Sequence, residues 1–148
     1  MAQVIADVYS TLIAEKIEEP MDALEFDHSK IVLNVESGTV EFKSTLRTNL
    51  HTGEKDPRME LAVLKTIAGF LNTNGGILII GLTDEGTPVD IQADDFTNED
   101  KMSLHLVNIV KSRMGIQAMT SHHAHFDDHE DIRVMFIKCK KSSIPISL

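Results

Sequence analysis

The sequence predicts an α+β domain in which a mixed or antiparallel sheet packs against two main helices, with an amphipathic helix at the N-terminus. Two stretches repeat apolar residues at helical spacing, "RMELAVLKTIAGFLN" and "NEDKMSLHLVNIVKSRMG". Between them lies the continuous apolar run "ILIIGL", which is typical of a strand buried on both faces. A chain of 148 residues suits one such domain around a single core.

The first 28 residues are predicted to form a helical extension that precedes the main domain of residues 29–148. Apolar residues recur at helical spacing from Val4 to Ile13, which predicts an amphipathic helix ending near Lys16. An acidic stretch containing Pro20 then breaks the helix. Because the helix has an apolar face to bury, we expect it to pack on the main domain or on a partner.

The stretch "KIVLNVESGTVEFKSTL" predicts a strand, a Ser-Gly turn and a second strand. In the second strand Val40 and Phe42 alternate with polar residues. Glu41 and Lys43 therefore share one face of the strand. The following "RTNLHTGEKDP" is predicted to be a polar loop.

Signals at both ends define the first main helix. Asp56 followed by Pro57 is typical of a capping residue and the first helical position. The glycines of "NTNGG" allow the left-handed backbone that ends a helix. The second main helix is predicted to be capped by Thr97 or Asn98.

The remaining segments are predicted to complete the sheet. "TDEGTP" is expected to be a hairpin turn and "VDIQ" a short return strand. "IQAMTSHHAHF" and "IRVMFIKCK" are predicted to be two strands joined by the acidic turn "DDHED".

Charge is distributed unevenly along this acidic chain. The net charge of −9 argues against a basic protein that coats nucleic acid. Residues 1–40 hold eight acids and two bases, residues 84–113 hold seven and three, and residues 127–141 hold four of each. Residues 41–65 hold four acids and five bases, so they carry the positive segment. The side chains expected to contact phosphates there are Lys43, Arg47, Lys55 and Arg58.

Several motifs of common enzymes are missing or weak. The sequence contains no GxxxxGK[ST] loop for nucleotide phosphates. The densest group of possible metal ligands runs from His122 to His129, where the spacing favours a solvated strand edge over a metal site. The single cysteine, Cys139, lies in an apolar run and is expected to be an inert core or edge residue.

Three carboxylates form the remaining candidate site. If "ILIIGL" pairs near "VEFK", Asp84 approaches Glu41, and a turn or bulge at Gly38 redirects Glu36 toward both. A divalent cation such as Mg²⁺ or Mn²⁺ would fit among them and could activate a water for phosphodiester cleavage. The alternative is a turn aspartate with two glutamates that pair with surface lysines, and the spacing by itself favours that alternative.

Two stretches, "ESGTVEFKSTLR" and "VLKTIAGFLNTNGGILIIGLTDEG", resemble the Schlafen AlbA-type (AlbA_2) domain, long described as DNA-binding. The family pattern is an "ES…EFK" strand, a helix ending in "AFxNxxGG" and a strand "LLIGVxDxG". Both blocks occur here in order and at matching spacing. "NLHTGEKD" and "NEDKMSLHLVNIVKSRMG" are similar to the bacterial and archaeal branch in particular.

The resemblance implies roles for the acids. Animal Schlafens are endoribonucleases that cleave tRNA and rRNA with three carboxylates and a divalent cation. Those positions match Glu36, Glu41 and Asp84 here, and Lys43 matches the family lysine beside the second acid. The resemblance thus implies that the three acids are catalytic and hold Mg²⁺ or Mn²⁺.

Other positions depart from the family pattern. Thr83 replaces a frequent acid, and Asp90 stands where the family commonly has glycine. Animal nucleases grip RNA between two such lobes, so one lobe is expected to need a homodimer to form a comparable groove. Bacterial members often carry this domain beside regulatory, helicase-like or ATPase parts, which implies a place in a regulatory or defence protein.

Three functions therefore remain open. The first is a nucleic-acid-binding domain that contacts the phosphates of RNA or DNA. The second is a metal-dependent endoribonuclease, and the third is an oligomerisation or interaction module in which the N-terminal helix docks. A cytoplasmic location without membrane contact is expected, because the chain has one cysteine and no apolar run of about 18 residues.

Overall fold

The computed structural model of the protein describes residues 39–148. The predicted N-terminal helix, the first predicted strand and Glu36 lie outside the described residues. The α+β prediction is confirmed, because a four-stranded mixed sheet packs against helices. In chain order the elements are β1 Val40–Lys43, β2 Thr48–Asn49, β3 Glu54–Lys55, α1 Pro57–Leu71, β4 Gly76–Ile80, a 3₁₀ helix Ile91–Asp94, α2 Glu99–Met114, α3 Ile116–Thr120, β5 His122–His129 and β6 Ile132–Cys139.

The main sheet has the strand order β1-β4-β6-β5. β1 runs parallel to β4, and β6 runs antiparallel to both β4 and β5. We call the end where β1 and β4 begin and β6 finishes the amino end of the sheet. At the opposite end, the carboxyl end, β1 finishes at Lys43, β4 finishes at Ile80 and β6 begins.

The core lies mainly between the helices and one face of this sheet. Side chains such as Leu64, Ile67 and Leu106 pack there against Leu78 and Met135 of the sheet. A second apolar cluster on the other face includes Val40, Phe42, Ile79 and Phe136. All five residues of β4 are buried, which confirms that "ILIIGL" contains a strand covered on both faces.

Capping confirms where the two long helices begin. The Asp56 carboxylate accepts a hydrogen bond from the Arg58 backbone N–H at 2.9 Å, with Pro57 at the first helical position. The Asn98 side chain accepts one from the Lys101 N–H at 2.8 Å, so Asn98 is the cap of α2.

The predicted return strand "VDIQ" is wrong. Leu82 and Pro88 form a single bridge, and Ile91–Asp94 form the 3₁₀ helix instead. Asp90 has a φ of +82°, which turns the chain away from the sheet before a strand can form. The predicted polar loop before α1 likewise contains a short antiparallel pair, β2 with β3.

Two boundaries near β5 also differ from the prediction. The stretch "IQAMT" forms α3, because Gly115 at a φ of +91° ends α2 and starts a new short helix. The first three residues of the predicted turn, 127–129, instead extend β5 to His129. Glu130 and Asp131 make the turn with φ of +53° and +65°, the backbone that suits a two-residue hairpin.

Candidate nucleic-acid interface and carboxylate site

Glu41 and Lys43 lie on β1, which is an edge strand of the sheet. Their burial alternates with that of Val40 and Phe42, which confirms that Glu41 and Lys43 share one face. Glu41 is exposed and Lys43 is half-buried. The Lys43 carbonyl accepts the Gly81 N–H at 2.9 Å, so the backbone beside this lysine is joined to the end of β4.

Asp84 is exposed in a tight turn at the carboxyl end of the sheet. The Thr83 N–H donates to the Thr87 carbonyl at 2.9 Å, and the Gly86 N–H donates to the Thr83 carbonyl at 2.8 Å. The pairing required by the carboxylate hypothesis is present, because β4 pairs with β1 along its length. Asp84 therefore follows the strand next to that of Glu41, and both strands end at the same edge.

Metal ligation by this group depends on Glu36, which lies outside the described residues. Within residues 39–148 no three His, Cys, Asp or Glu side chains are close enough together to hold a metal ion. Of the three predicted ligands, Glu41 and Asp84 lie within the described residues. Three carboxylates would suit a cation that prefers oxygen, as Mg²⁺ and Mn²⁺ do.

Arg47 contacts the loop that follows the 3₁₀ helix. Its Nε donates to the Asp94 carbonyl at 3.1 Å, and its Nη2 donates to the Asp95 carbonyl at 3.3 Å. Its guanidinium carbon lies 3.6 Å from the centre of the Phe96 ring, a cation–π arrangement. Arg47 therefore fastens the segment after β1 to residues 94–96.

A buried carboxylate holds the same two segments together. Asp94 is 1% exposed. Its carboxylate accepts the backbone N–H groups of three consecutive residues, Leu46 at 2.6 Å, Arg47 at 2.8 Å and Thr48 at 3.0 Å. These three hydrogen bonds satisfy backbone N–H groups of the segment that follows β1.

The other predicted phosphate ligands lie beside the start of α1. Arg58 makes an ion pair with Asp56 at 2.8 Å, and its side chain is 79% exposed. The hydrogen bonds from Arg58 hold the pKa of the Asp56 carboxyl well below its ordinary value. Lys55 on β3 is exposed.

Sequence reasoning missed a polar contact between the two long helices. Nε2 of His105 on α2 lies 2.5 Å from Oε2 of Glu60 on α1. The His105 ring also contacts the Phe96 ring, with 5.3 Å between their centres. The two side chains of the pair are 45 positions apart, and each sits singly in its helix, so no local motif identifies them.

The backbone conformation at Asp90 explains why glycine is common at this position in the family pattern. Its φ of +82° with ψ of 143° is a conformation that glycine adopts easily and other residues rarely do. In this chain, two hydrogen bonds to the Asp90 carboxylate offset the cost of that backbone conformation. The Asp90 carboxylate accepts the Gln92 N–H at 2.9 Å and the Arg133 backbone N–H at 3.0 Å.

Cys139 and two histidines of β5 are wholly or partly buried in the fold. Cys139 is fully buried, which confirms that it is a core residue, and burial raises the pKa of its thiol to about 12. Burial also lowers the pKa of His122, whose Nδ1 lies 3.0 Å from the Ala118 carbonyl. His129 is buried at the end of the strand.

The "EFK" strand at the edge of the sheet and the glycine turn before β4 lie within the two stretches that resemble the Schlafen AlbA-type domain. The chain belongs to the family described as Schlafen, AlbA_2, whose sequence model matches residues 36–146. No curated protein matches the chain in sequence.

Two solved structures share the fold. The DIP2311 protein of Corynebacterium diphtheriae is 19% identical with a TM-score of 0.55, and the match covers 97% of this chain and 23% of that one. The N-terminal domain of a RecG-related protein from Nitrosomonas europaea is 16% identical with a TM-score of 0.54, over 97% of this chain and 78% of that one. The chain thus spans about a quarter of the first protein. Within residues 39–148 no helix is long and apolar enough to cross a membrane.

Proposed function

We propose that the chain is a nucleic-acid-binding domain that recognises the phosphate backbone of RNA or DNA. Membership of the Schlafen AlbA_2 family over residues 36–146 carries this proposal. The name of the Nitrosomonas europaea protein relates it to an ATP-dependent DNA helicase, which is compatible with such a role. Within the family the domain would serve a regulatory or defence protein.

The side chains proposed to contact phosphates are basic residues near Glu41 in the sequence. Lys43 lies on the same face of β1 as Glu41, and Lys55 and Arg58 are exposed. Arg47 would contribute through the part of its guanidinium that Asp94 and Asp95 do not occupy. We further infer a homodimer in the cytoplasm, with the N-terminal extension of residues 1–28 contributing to self-association. The mass in solution of the full chain and of a chain lacking residues 1–18 tests this.

Labelled tRNA and single-stranded DNA test the binding itself. The protein is expected to retard at least one of them, and the affinity is expected to fall as the salt concentration rises because bound phosphates release counterions. Binding that does not respond to salt would contradict recognition of the backbone.

The second candidate function is a metal-dependent endoribonuclease. The observation that favours it is the parallel pairing of β1, which carries Glu41, with β4, which leads into the turn that carries Asp84. Together with Glu36 they would hold Mg²⁺ or Mn²⁺. When bound, the cation would supply Lewis acidity for phosphodiester hydrolysis. Lys43 would hold the negative phosphate near the acids.

Replacing Glu41 by glutamine is expected to abolish cleavage of structured RNA in Mn²⁺ while leaving the fold intact, because Glu41 is exposed. A loss of about 100-fold or more is expected when one of three metal ligands is neutralised. The matched control is Glu54→Gln, an exposed glutamate on β3, which should cleave as the wild type does. Cleavage that persists in EDTA, or in the Glu41→Gln protein, would exclude this mechanism.

A further inference from the structure

The acids of the described residues are confined to three segments of the chain. Four Asp and Glu residues lie in 41–60, seven in 84–100 and four in 127–131. Residues 61–83, 101–126 and 132–148 contain none. An acidic protein therefore has long stretches in which every charged side chain is basic or histidine.

The fold collects the acidic segments at the carboxyl end of the sheet. The Asp94 carboxylate binds the backbone just after β1. Glu99, at the start of α2, pairs with Arg133 at 2.7 Å where β6 begins. The turn at 130–131 also precedes β6, and β6 begins beside the end of β4. Carboxylates thus surround the carboxyl end of the sheet, where β1 and β4 finish.

The opposite, amino end of the sheet collects cations. Lys111 and Arg113 lie in the last turn of α2, and Lys140 and Lys141 directly follow β6. We call these four residues the amino-end cations. All four are exposed, and none forms an ion pair within residues 39–148. Lys138 lies close by at the end of β6.

Hydrogen bonds join the segment after β6 to the short helix α3, which follows α2. The Lys140 N–H donates to the Ser121 carbonyl at 3.1 Å, just after α3. Nε2 of Gln117, on α3, donates to Oγ of Ser143 at 3.3 Å. α3 follows α2 after the single residue Gly115. The end of α2 and the segment after β6 therefore both adjoin α3 at the amino end of the sheet.

The helix dipole alone accounts for part of this arrangement, since cations are favourable at the end of α2. It does not account for Lys140 and Lys141, which follow a strand. Within residues 39–148, four exposed cations lie at the end of the sheet opposite the acidic segments, an arrangement that would attract a polyanion with repeated charges. A nucleic-acid backbone has that chemistry, and the potential at the acidic carboxyl end opposes it.

We propose that the amino-end cations form the main phosphate-contacting surface of this domain for nucleic acid. The inference rests on the proposed function and assigns its strongest contacts to the amino end of the sheet. A nucleic-acid strand bound by the amino-end cations would then extend along the sheet toward Glu41 and Asp84.

Two variants of the full chain with equal loss of charge test this. The first carries Lys111→Gln, Arg113→Gln, Lys140→Gln and Lys141→Gln. The second carries Lys43→Gln, Lys55→Gln, Arg58→Gln and Lys101→Gln. Each loses four positive charges, so a difference between them reports where the phosphates bind. Circular dichroism verifies folding. If the first set unfolds, the double variants Lys140→Gln, Lys141→Gln and Lys43→Gln, Lys55→Gln, each losing two charges, replace both sets.

The affinity for labelled tRNA and for duplex DNA is measured against salt concentration. The first variant is expected to lose about tenfold or more in affinity near 0.1 M salt, with a log–log salt slope smaller by roughly 3 to 4. The second variant is expected to lose clearly less. An equal or larger loss in the second variant would overturn the assignment while leaving nucleic-acid binding in place.

Two further outcomes separate this inference from the proposed function. If the wild type binds neither nucleic acid, the proposed function fails and the inference fails with it. Ile116 on α3 and Ile144 after β6 are exposed apolar side chains, so phosphatidylserine vesicles are included as a second probe. Vesicle binding without nucleic-acid binding, lost in the first variant, would reassign the amino-end cations to an anionic membrane.

Discussion

Replacing Asp94 by alanine is expected to lower the free energy of unfolding by about 3–5 kcal/mol. The carboxylate is 1% exposed and accepts the N–H groups of Leu46, Arg47 and Thr48. Alanine would leave three backbone donors without partners in a site that water reaches poorly. It would also leave the segment after β1 joined to residues 94–96 by the Arg47 contacts alone.

The matched control for Asp94 is its neighbour Asp95. Asp95 is exposed and has a φ of +54°, a conformation that asparagine tolerates well. Asp95→Asn is therefore expected to change stability by less than about 0.5 kcal/mol. Urea denaturation of the three proteins measures both effects. If Asp94→Ala proved as stable as Asp95→Asn, the three hydrogen bonds would not hold the two segments together.

Replacing Gly75 by alanine is expected to destabilise the fold by at least about 3 kcal/mol. Gly75 has a φ of +84°, and a Cβ there would lie 2.6 Å from the carbonyl oxygen of Cys139 on β6. The change therefore combines backbone strain with a clash against backbone, which cannot move aside without disturbing the pairing of β4 with β6. Thermal unfolding followed by circular dichroism measures it.

Two other glycines separate the contributions to that loss. Gly53 has a φ of +73° with no atom within 4 Å of an added Cβ, so Gly53→Ala measures the strain alone, about 1–2 kcal/mol. Gly69 lies within α1 and also has free space, so Gly69→Ala is expected to stabilise by roughly 0.5–1 kcal/mol. A Gly75→Ala loss no greater than that of Gly53→Ala would show that the close approach to Cys139 costs nothing.

The parts of the fold that local signals determine were predictable from the sequence. Asp56-Pro57 defines the start of α1, "NTNGG" defines its end, and the apolar run defines β4. The return strand was wrong because the alternation of "VDIQ" is short and the backbone at Asp90 overrides it. Nothing local predicts Asp94, whose partners lie 46 to 48 positions away in the chain.

The distribution of charge over the surface is harder to predict than the fold, because charge counts along the sequence ignore where the strands place each residue. Residues 127–141 hold four acids and four bases and so look neutral. β6 separates them in space, since an eight-residue strand spans about 26 Å. The acids at 127–131 remain at the carboxyl end, whereas Lys138, Lys140 and Lys141 reach the amino end. Only the sheet topology reveals that difference.

The affinity of the wild-type chain for labelled tRNA and DNA, measured at several salt concentrations, tests the central claim most directly. Recognition of the phosphate backbone predicts that log affinity falls linearly with log salt concentration, by about 0.9 for each phosphate contacted in duplex DNA. Slopes corresponding to several phosphates would support a nucleic-acid-binding domain. The absence of binding at low salt, or binding that salt does not weaken, would contradict it.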